Sequence, residues 1–309
     1  MKQITVISGK GGTGKTVVTG SLAVLAKNKV MVDCDVDAAD LHLLLHPQIE
    51  EQHEFKGGRL AVIDKDKCTG CGKCKEVCRF EAIREDRSKK QEARNKHSHF
   101  PLLTSHYYID PLSCEGCGTC SLVCLEEAIT LKEEITGEWF VSQTKYGKLV
   151  HAKLGIAEEN SGRLVTMIRQ KAQDIALQEG LDYVIIDGPP GIGCPVIASL
   201  SGVDIAMVVT EPTLSGIHDM KRVIGVCEHF GIKTYVCINK FDLSLTNTKR
   251  IENFCQSRGI PILAYIPFDE EVIDSVVEGK PAVEYVQGKT LNSIESIWER
   301  LEKIRVNKE

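Results

Sequence analysis

The chain has 309 residues, 42% of them hydrophobic and 26% charged, with a net charge of −5 and a pI near 6.0. That is an ordinary globular composition, long enough for a main core and a smaller second unit. The acidic balance argues against a protein whose main task is gripping nucleic acid, and no apolar run approaches the ~20 residues of a membrane-spanning helix.

In chain order, Met1-Lys2-Gln3 leads directly into the apolar stretch 4–7 without the features of a signal peptide, so a cytoplasmic location is expected. Residues 4–7 read as a strand, and 15–27 as a helix. Between them lies Gly9-Lys10-Gly11-Gly12-Thr13-Gly14-Lys15-Thr16, which matches G-x-x-x-x-G-K-[ST]. The glycines let backbone N–H groups turn inward onto phosphate oxygens. Lys15 reaches the β- and γ-phosphates, Thr16 is placed to ligate Mg2+, and the helix adds its positive end. Residues 30–33 read as a second strand, after which Asp33, Asp35, Asp37 and Asp40 gather where an acid can orient a water or hold magnesium.

Residues 60–135 break the pattern. "CTGCGKCKEVCRFEAI" at 68–83 returns as "CEGCGTCSLVCLEEAI" at 114–129, with ten of sixteen positions identical at an offset of 46. Cys68, Cys71, Cys74, Cys78 and Cys114, Cys117, Cys120, Cys124 both follow C-x2-C-x2-C-x3-C, the spacing of bacterial ferredoxins. Three thiolates on one tight loop grip one cubane, and in two-cluster ferredoxins the fourth ligates the other. The expected sets are therefore Cys68, Cys71, Cys74 with Cys124, and Cys114, Cys117, Cys120 with Cys78. Structural zinc would use two close pairs instead. Arg79 and Leu125 stand where ferredoxins usually have proline, which bears on the turn and the potential but removes no ligand. The polar stretch 84–99 between the copies reads as an exposed loop or hairpin.

Beyond the repeat, 182–187 is a buried strand ending at Asp187, in Walker B position, followed by a possible switch, Gly188-Pro189-Pro190-Gly191. Residues 203–210 and 234–240 are further strands flanking a helix over 214–230, and 261–269 is another strand. "NKFD" at 239–242 taken alone suggests guanine recognition. Leu291, Ile294, Ile297, Trp298, Leu301 and Ile304 share one face of a last helix, expected to pack on the core. Of the scattered cysteines Cys34, Cys194, Cys227, Cys237 and Cys255, both Cys34 and Cys194 are expected to be buried structural thiols. Strands alternating with helices predict an α/β fold, a doubly wound and mostly parallel sheet with ligands at the strands' carboxyl ends. An α+β ferredoxin-like domain is expected over 60–135, with the P-loop domain over 1–59 and 136–309.

With Lys10 at its mouth, the loop resembles the deviant Walker A motif K-G-G-x-G-K-[ST] of MinD, ParA, Mrp-type carriers and the nitrogenase iron protein. The whole chain is similar to MinD-superfamily ATPases carrying an inserted ferredoxin domain, on the loop, "DCDVDAADL", both cysteine motifs, "AEENSGRLV", "IDGPPGIGCPV", "TEPTLSGIHD", "NKFDL" and "YIPFDEEV". That resemblance implies an ATP-closed homodimer, or a heterodimer with a close relative, with Lys10 reaching the partner's phosphates. It implies that Asp35 positions the attacking water and Asp187 lies by magnesium. Val17, Asn239 and Pro267 join Gly9–Thr16 as nucleotide-binding positions, with Asn239 reading adenine; ATP is thus expected, with GTP the alternative. The expected cofactors are two [4Fe-4S] clusters and Mg2+. The functions implied are ATP-driven electron transfer to a redox partner, ATP-dependent cluster or metallocofactor assembly on an apo-protein, or a redox-sensing positioning ATPase. No nucleic-acid partner and no membrane insertion are expected.

Overall fold

The computed structural model describes residues 1–86, 106–155 and 161–305. Two compact units divide the chain, Met1–Phe55 with Gly137–Glu309, and Lys56–Thr136.

The larger unit is built on nine strands: β1 (Lys2–Ser8), β2 (Lys29–Asp33), β3 (Gln48–Phe55), β8 (Gly137–Thr144), β9 (Gly147–Leu154), β10 (Tyr183–Pro190), β11 (Ile205–Thr210), β12 (Lys233–Asn239) and β13 (Ile262–Ile266). Their order is β13-β12-β11-β1-β10-β2-β9-β8-β3. All pairs are parallel except β9–β8 and β8–β3. β2 and β11 are buried at every residue, as expected for strands covered on both faces.

Side chains alternate between two cores. One face holds Val184 and Ile186 of β10 against Leu164 and Ile168 of α5 (Ser161–Gln178), Leu200 of α6 (Cys194–Leu200) and Val223 of α7 (Leu214–His229). The other holds Ile185 against Val18 and Leu22 of α1 (Lys15–Leu25) and Ile294, Ile297 and Leu301 of α10 (Gly288–Lys303). The last helix therefore packs on the core, as its apolar face predicts. From β1 the chain crosses past β10 to β2, and from β10 it crosses past β1 to β11, so the two crossovers run in opposite directions and open a crevice at the carboxyl ends of β1 and β10.

The antiparallel extension β9-β8-β3 was not read from sequence. β8 and β9 form a hairpin through Lys145-Tyr146, with Gly147 at φ 117, and this alternating pair around a glycine turn was a usable signal. β3 gave none: seven of its eight residues are exposed. Phe55 of β3 is paired with Gly137 of β8. The chain thus leaves and rejoins the sheet at neighbouring positions, and a unit inserted there need not disturb the core.

The smaller unit consists of β4 (Gly58–Ile63), α3 (Lys73–Val77), β5 (Ile83–Asp86), β6 (His106–Ile109), α4 (Thr119–Leu122) and β7 (Ile129–Glu134). β4 pairs with β7 and β5 with β6, both antiparallel. The 46-residue offset recurs throughout its backbone. Ile63 pairs with Ile129 and Ile83 with Ile109. Asp64 N donates to Ala128 O at 2.7 Å, and Asp110 N to Ala82 O at 2.8 Å. Positive φ values fall at Gly70 and Gly116, Gly72 and Gly118, Glu81 and Glu127. The sequence repeat is therefore a structural repeat, each half pairing its strands with the other. Most of the stretch 84–99 lies outside the described residues; its first three residues belong to β5.

Across β8–β9, Ser142 Oγ and His151 Nε2 stand 2.9 Å apart, and Phe140 stacks on the imidazole. Burial pushes His151 down to about 4, with His42 adding to the shift. A base with a depressed folded pKa takes its proton more readily when unfolded. Its contribution is complete above the unfolded value near 6.5 and is lost as pH falls toward 4. His151→Gln should remove about 2 kcal/mol of the stability lost between pH 7 and 4.5, measured by denaturant titration at both pH values.

Candidate functional site

The loop after β1 curls beneath the amino end of α1. Gly14 caps the helix at φ 88, a conformation that costs any residue with a Cβ. A Cβ there would also lie 2.3 Å from Asn239 Nδ2. Gly9 is held as closely: its Cβ would meet the backbone of Asp219 at 2.4 Å. Gly11 and Gly12 have open space beside them. Thr13 is buried, and its Oγ1 has no hydrogen-bond partner.

Lys15 is 6% exposed and turns into the crevice, its Nζ 2.8 Å from Asp187 Oδ1 and 3.8 Å from Asp35 Oδ2. Thr16 Oγ1 donates to Asp187 Oδ2 at 2.9 Å, and Thr19 Oγ1 donates to Oδ1 at 2.8 Å. Asp33 sits behind them, accepting from the backbone N–H groups of Asp35 and Leu41. Burial alone would push the Lys15 ammonium down; Asp187, Asp33 and Asp35 outweigh it and hold the ammonium above its usual range. Burial pushes Asp35 up to about 6, Lys15 opposing and Asp187, Asp37 and Asp40 adding. Burial, then Asp187, raises Asp33 as well. One ammonium thus faces three carboxyl groups, an oxygen-rich setting suited to a hard divalent cation.

These residues border a cavity of about 590 Å³ lined by Gly11, Gly12, Gly14, Lys15, Thr16, Val17, Asp35 and Asn239, within the range of small-molecule sites. Its far wall is apolar, formed by Leu43, Leu44, Ile266, Val272, Ile273 and Val276. Pro267 follows Ile266 directly. Asn239 Nδ2 donates to Thr13 O at 2.8 Å, and its Oδ1 accepts from Lys240 N. Asp242 Oδ1 accepts from Phe268 N at 2.7 Å. Asn239 and Asp242 of "NKFD" are thus both engaged by the protein backbone, and Asn239 braces the phosphate loop.

Lys10 stands apart from Lys15. Its Nζ pairs with Glu211 Oε1 at 2.6 Å and lies 3.1 Å from Ser215 Oγ and 3.5 Å from Thr213 Oγ1. Sequence reasoning missed Glu211. The only signal was its place after β11, inside "TEPTLSGIHD". Cys34 is fully buried, but Cys194 is exposed at the start of α6. That corrects the expectation for Cys194: the first turn of this helix faces outward, and burial begins at Val196.

The crevice belongs to a recognisable class. Residues 4–282 match the model of the CobQ/CobB/MinD/ParA nucleotide binding domain. The chain belongs to this family. An uncharacterized protein of Methanocaldococcus jannaschii, MJ0578, is 32% identical over 302 residues, 97% of this chain and 96% of its own. A second from the same organism, MJ0579, is 25% identical over 314 residues, covering 92% of this chain and 93% of its own. In fold the chain is similar to the cell division ATPase MinD of Pyrococcus furiosus, with a TM-score of 0.57 at 21% identity and 98% of each chain covered. MinD of Pyrococcus horikoshii, solved with Mg-ADP, also gives 0.57, at 19% identity over 98% of this chain and 96% of its own. Among the described residues no helix is long and apolar enough to cross a membrane.

In the smaller unit the eight repeat cysteines are free thiols. Cys78, Cys114, Cys117 and Cys120 line one small cavity together with Phe80, Ile83 and Ile109. Cys74 and Cys120 are buried in the unit's apolar core, with Cys78, Cys114 and Cys124 packed against it. Burial raises the Cys74 and Cys120 thiols, whereas the Thr119 hydroxyl lowers Cys117. Among the described residues, no three His, Cys, Asp or Glu side chains are grouped to hold a metal ion.

Gly14→Ala should distort the phosphate loop through both its φ and the Asn239 contact. Nucleotide affinity measured by calorimetry should fall about five- to thirtyfold, from roughly 1–2 kcal/mol of backbone strain.

Proposed function

We propose that this protein is an ATPase whose inserted unit carries two [4Fe-4S] clusters, and that nucleotide-dependent dimer closure drives electron transfer through them. The observation that carries the reading is the shared cavity of Cys78 with Cys114, Cys117 and Cys120. Cys78 lies 36 residues before the first of the other three, yet it lines the same cavity, as cross-ligation in a two-cluster ferredoxin requires. The donor set is wholly thiol, and paired glycines at positive φ form each loop. By the same symmetry Cys68, Cys71 and Cys74 take Cys124. A cluster supplies a one-electron carrier; the chain's own contribution is to bind it through these eight thiolates in an apolar, partly covered setting.

In the larger unit, the loop amides and Lys15 bind the triphosphate of ATP, and Thr16 and Asp187, with Asp35, hold Mg2+. Magnesium supplies the charge neutralisation that phosphoryl transfer needs. Asp35, 16% exposed at the cavity wall, orients the attacking water. Lys10 adds positive charge to the partner protomer's phosphates at closure. Membership of a nucleotide-binding family and the likeness in fold to the MinD structures support ATP over GTP.

Anaerobically reconstituted protein should contain eight irons and eight sulfides per chain, and Cys78→Ala should lose one cluster's share. A wild-type content near zero would sink the reading. Potentials and EPR spectra should differ between ADP and non-hydrolysable ATP states. Lys10→Ala should keep monomer nucleotide binding and lose ATP-dependent dimerisation, read by light scattering. Rapid cluster transfer to an apo-acceptor without partner reduction would instead favour the assembly role.

A further inference from the structure

We propose that Glu211 is a positioning residue that holds Lys10 on its own protomer and sets the threshold for ATP-dependent closure. The inference rests on the dimer reading above. At the mouth of the loop, Lys10 is already engaged: Glu211 Oε1 at 2.6 Å, Ser215 Oγ at 3.1 Å and Thr213 Oγ1 at 3.5 Å surround its ammonium. A lysine so held cannot reach the phosphates of a second molecule. Closure therefore exchanges one anionic partner for another, the Glu211 carboxylate for the triphosphate across the interface.

The platform under Glu211 is rigid, so the carboxylate cannot simply follow the lysine. Thr213 N donates to Glu211 O at 2.8 Å, and the Thr213 hydroxyl caps α7 by accepting from Gly216 N at 3.0 Å. A Cβ on Gly216 would meet Glu211 O at 2.4 Å, so the helix start is pressed against this carbonyl. The Lys10 side also rests on α7, since Gly9 touches the Asp219 backbone. Both ends of the ion pair are thus anchored to one helix start.

Glu211 also reaches toward the other end of the crevice. Its Oε2 is 3.8 Å from Lys240 Nζ, next in sequence to Asn239, which braces Thr13. One carboxylate, with its side chain only 13% exposed, therefore links the loop's leading lysine to the segment after β12. Its partial burial keeps water from screening the pair as it would at an open surface. The backbone contacts of Glu211 use its carbonyl, so Glu211→Gln changes the charge and leaves the platform in place.

Wild type, Glu211→Gln, Glu211→Asp, Lys10→Ala and the Glu211→Gln/Lys10→Ala double variant should be compared by analytical ultracentrifugation with non-hydrolysable ATP and Mg2+. Glu211→Gln should tighten ATP-dependent dimerisation about three- to tenfold, with ATP affinity of the monomer unchanged and Glu211→Asp near wild type. The gain should vanish in the Lys10→Ala background, because the carboxylate acts only through Lys10. An equal or weaker Glu211→Gln dimer, or a gain that survives without Lys10, would overturn the proposal. A wild type that stays monomeric with ATP would instead overturn the dimer reading beneath it.

Discussion

The Lys15–Asp187 ion pair is the constraint on which the nucleotide crevice depends. It joins the first helical turn after β1 to the carboxyl end of the neighbouring strand β10, in a place almost closed to water. A buried ammonium without a carboxylate would be costly, so loop and strand must keep their register. Two further carboxylates, Asp33 and Asp35, crowd the same ammonium, and Thr16 and Thr19 satisfy both oxygens of Asp187. The result is a buried pocket rich in carboxyl oxygens around one ammonium. Preorganisation of this kind suits phosphoryl transfer, where catalysis is mostly positioning and electrostatics.

The two lysines of the loop are treated in opposite ways. Lys15 is buried and pinned from inside; Lys10 is half-exposed and pinned from the neighbouring helix start. On the function proposed above, these opposite settings give one short motif two separable tasks, a fixed phosphate ligand and a group that must be released before it acts. Cys194, just after the Gly188–Gly191 segment, lies in the exposed first turn of α6.

The inserted unit shows how a duplicated sequence becomes one body. Each half contributes two strands and a cysteine loop, yet neither half pairs with itself: β4 seeks β7 and β5 seeks β6. A half alone would leave its strand edges open and its few apolar residues uncovered. The interleaving that closes the edges is also what carries Cys78 to the opposite loop. Insertion between β3 and β8 is tolerated because those strands are direct neighbours at the sheet's edge, so the interruption falls outside the parallel core.

Much of this was legible in the residues. The phosphate loop declares itself because tight turns, helix start and lysine must be contiguous to work. The cysteine spacing is equally local, three thiols on one loop, and the cluster sites proposed above rest on it. The buried parallel strands stand out as unbroken apolar runs. Local chemistry of this sort needs no fold to be read. Tertiary structure alone decided what is brought together from afar. β3 is a polar edge strand whose place comes from its neighbour rather than from a pattern of its own. Asn239 is expected from sequence as a base contact, and the fold adds a bond the sequence does not show, from its Nδ2 to Thr13 O in the phosphate loop. Glu211, 201 residues from Lys10, has no motif that marks it, because an ion pair between separate strand ends is a property of how the sheet is ordered.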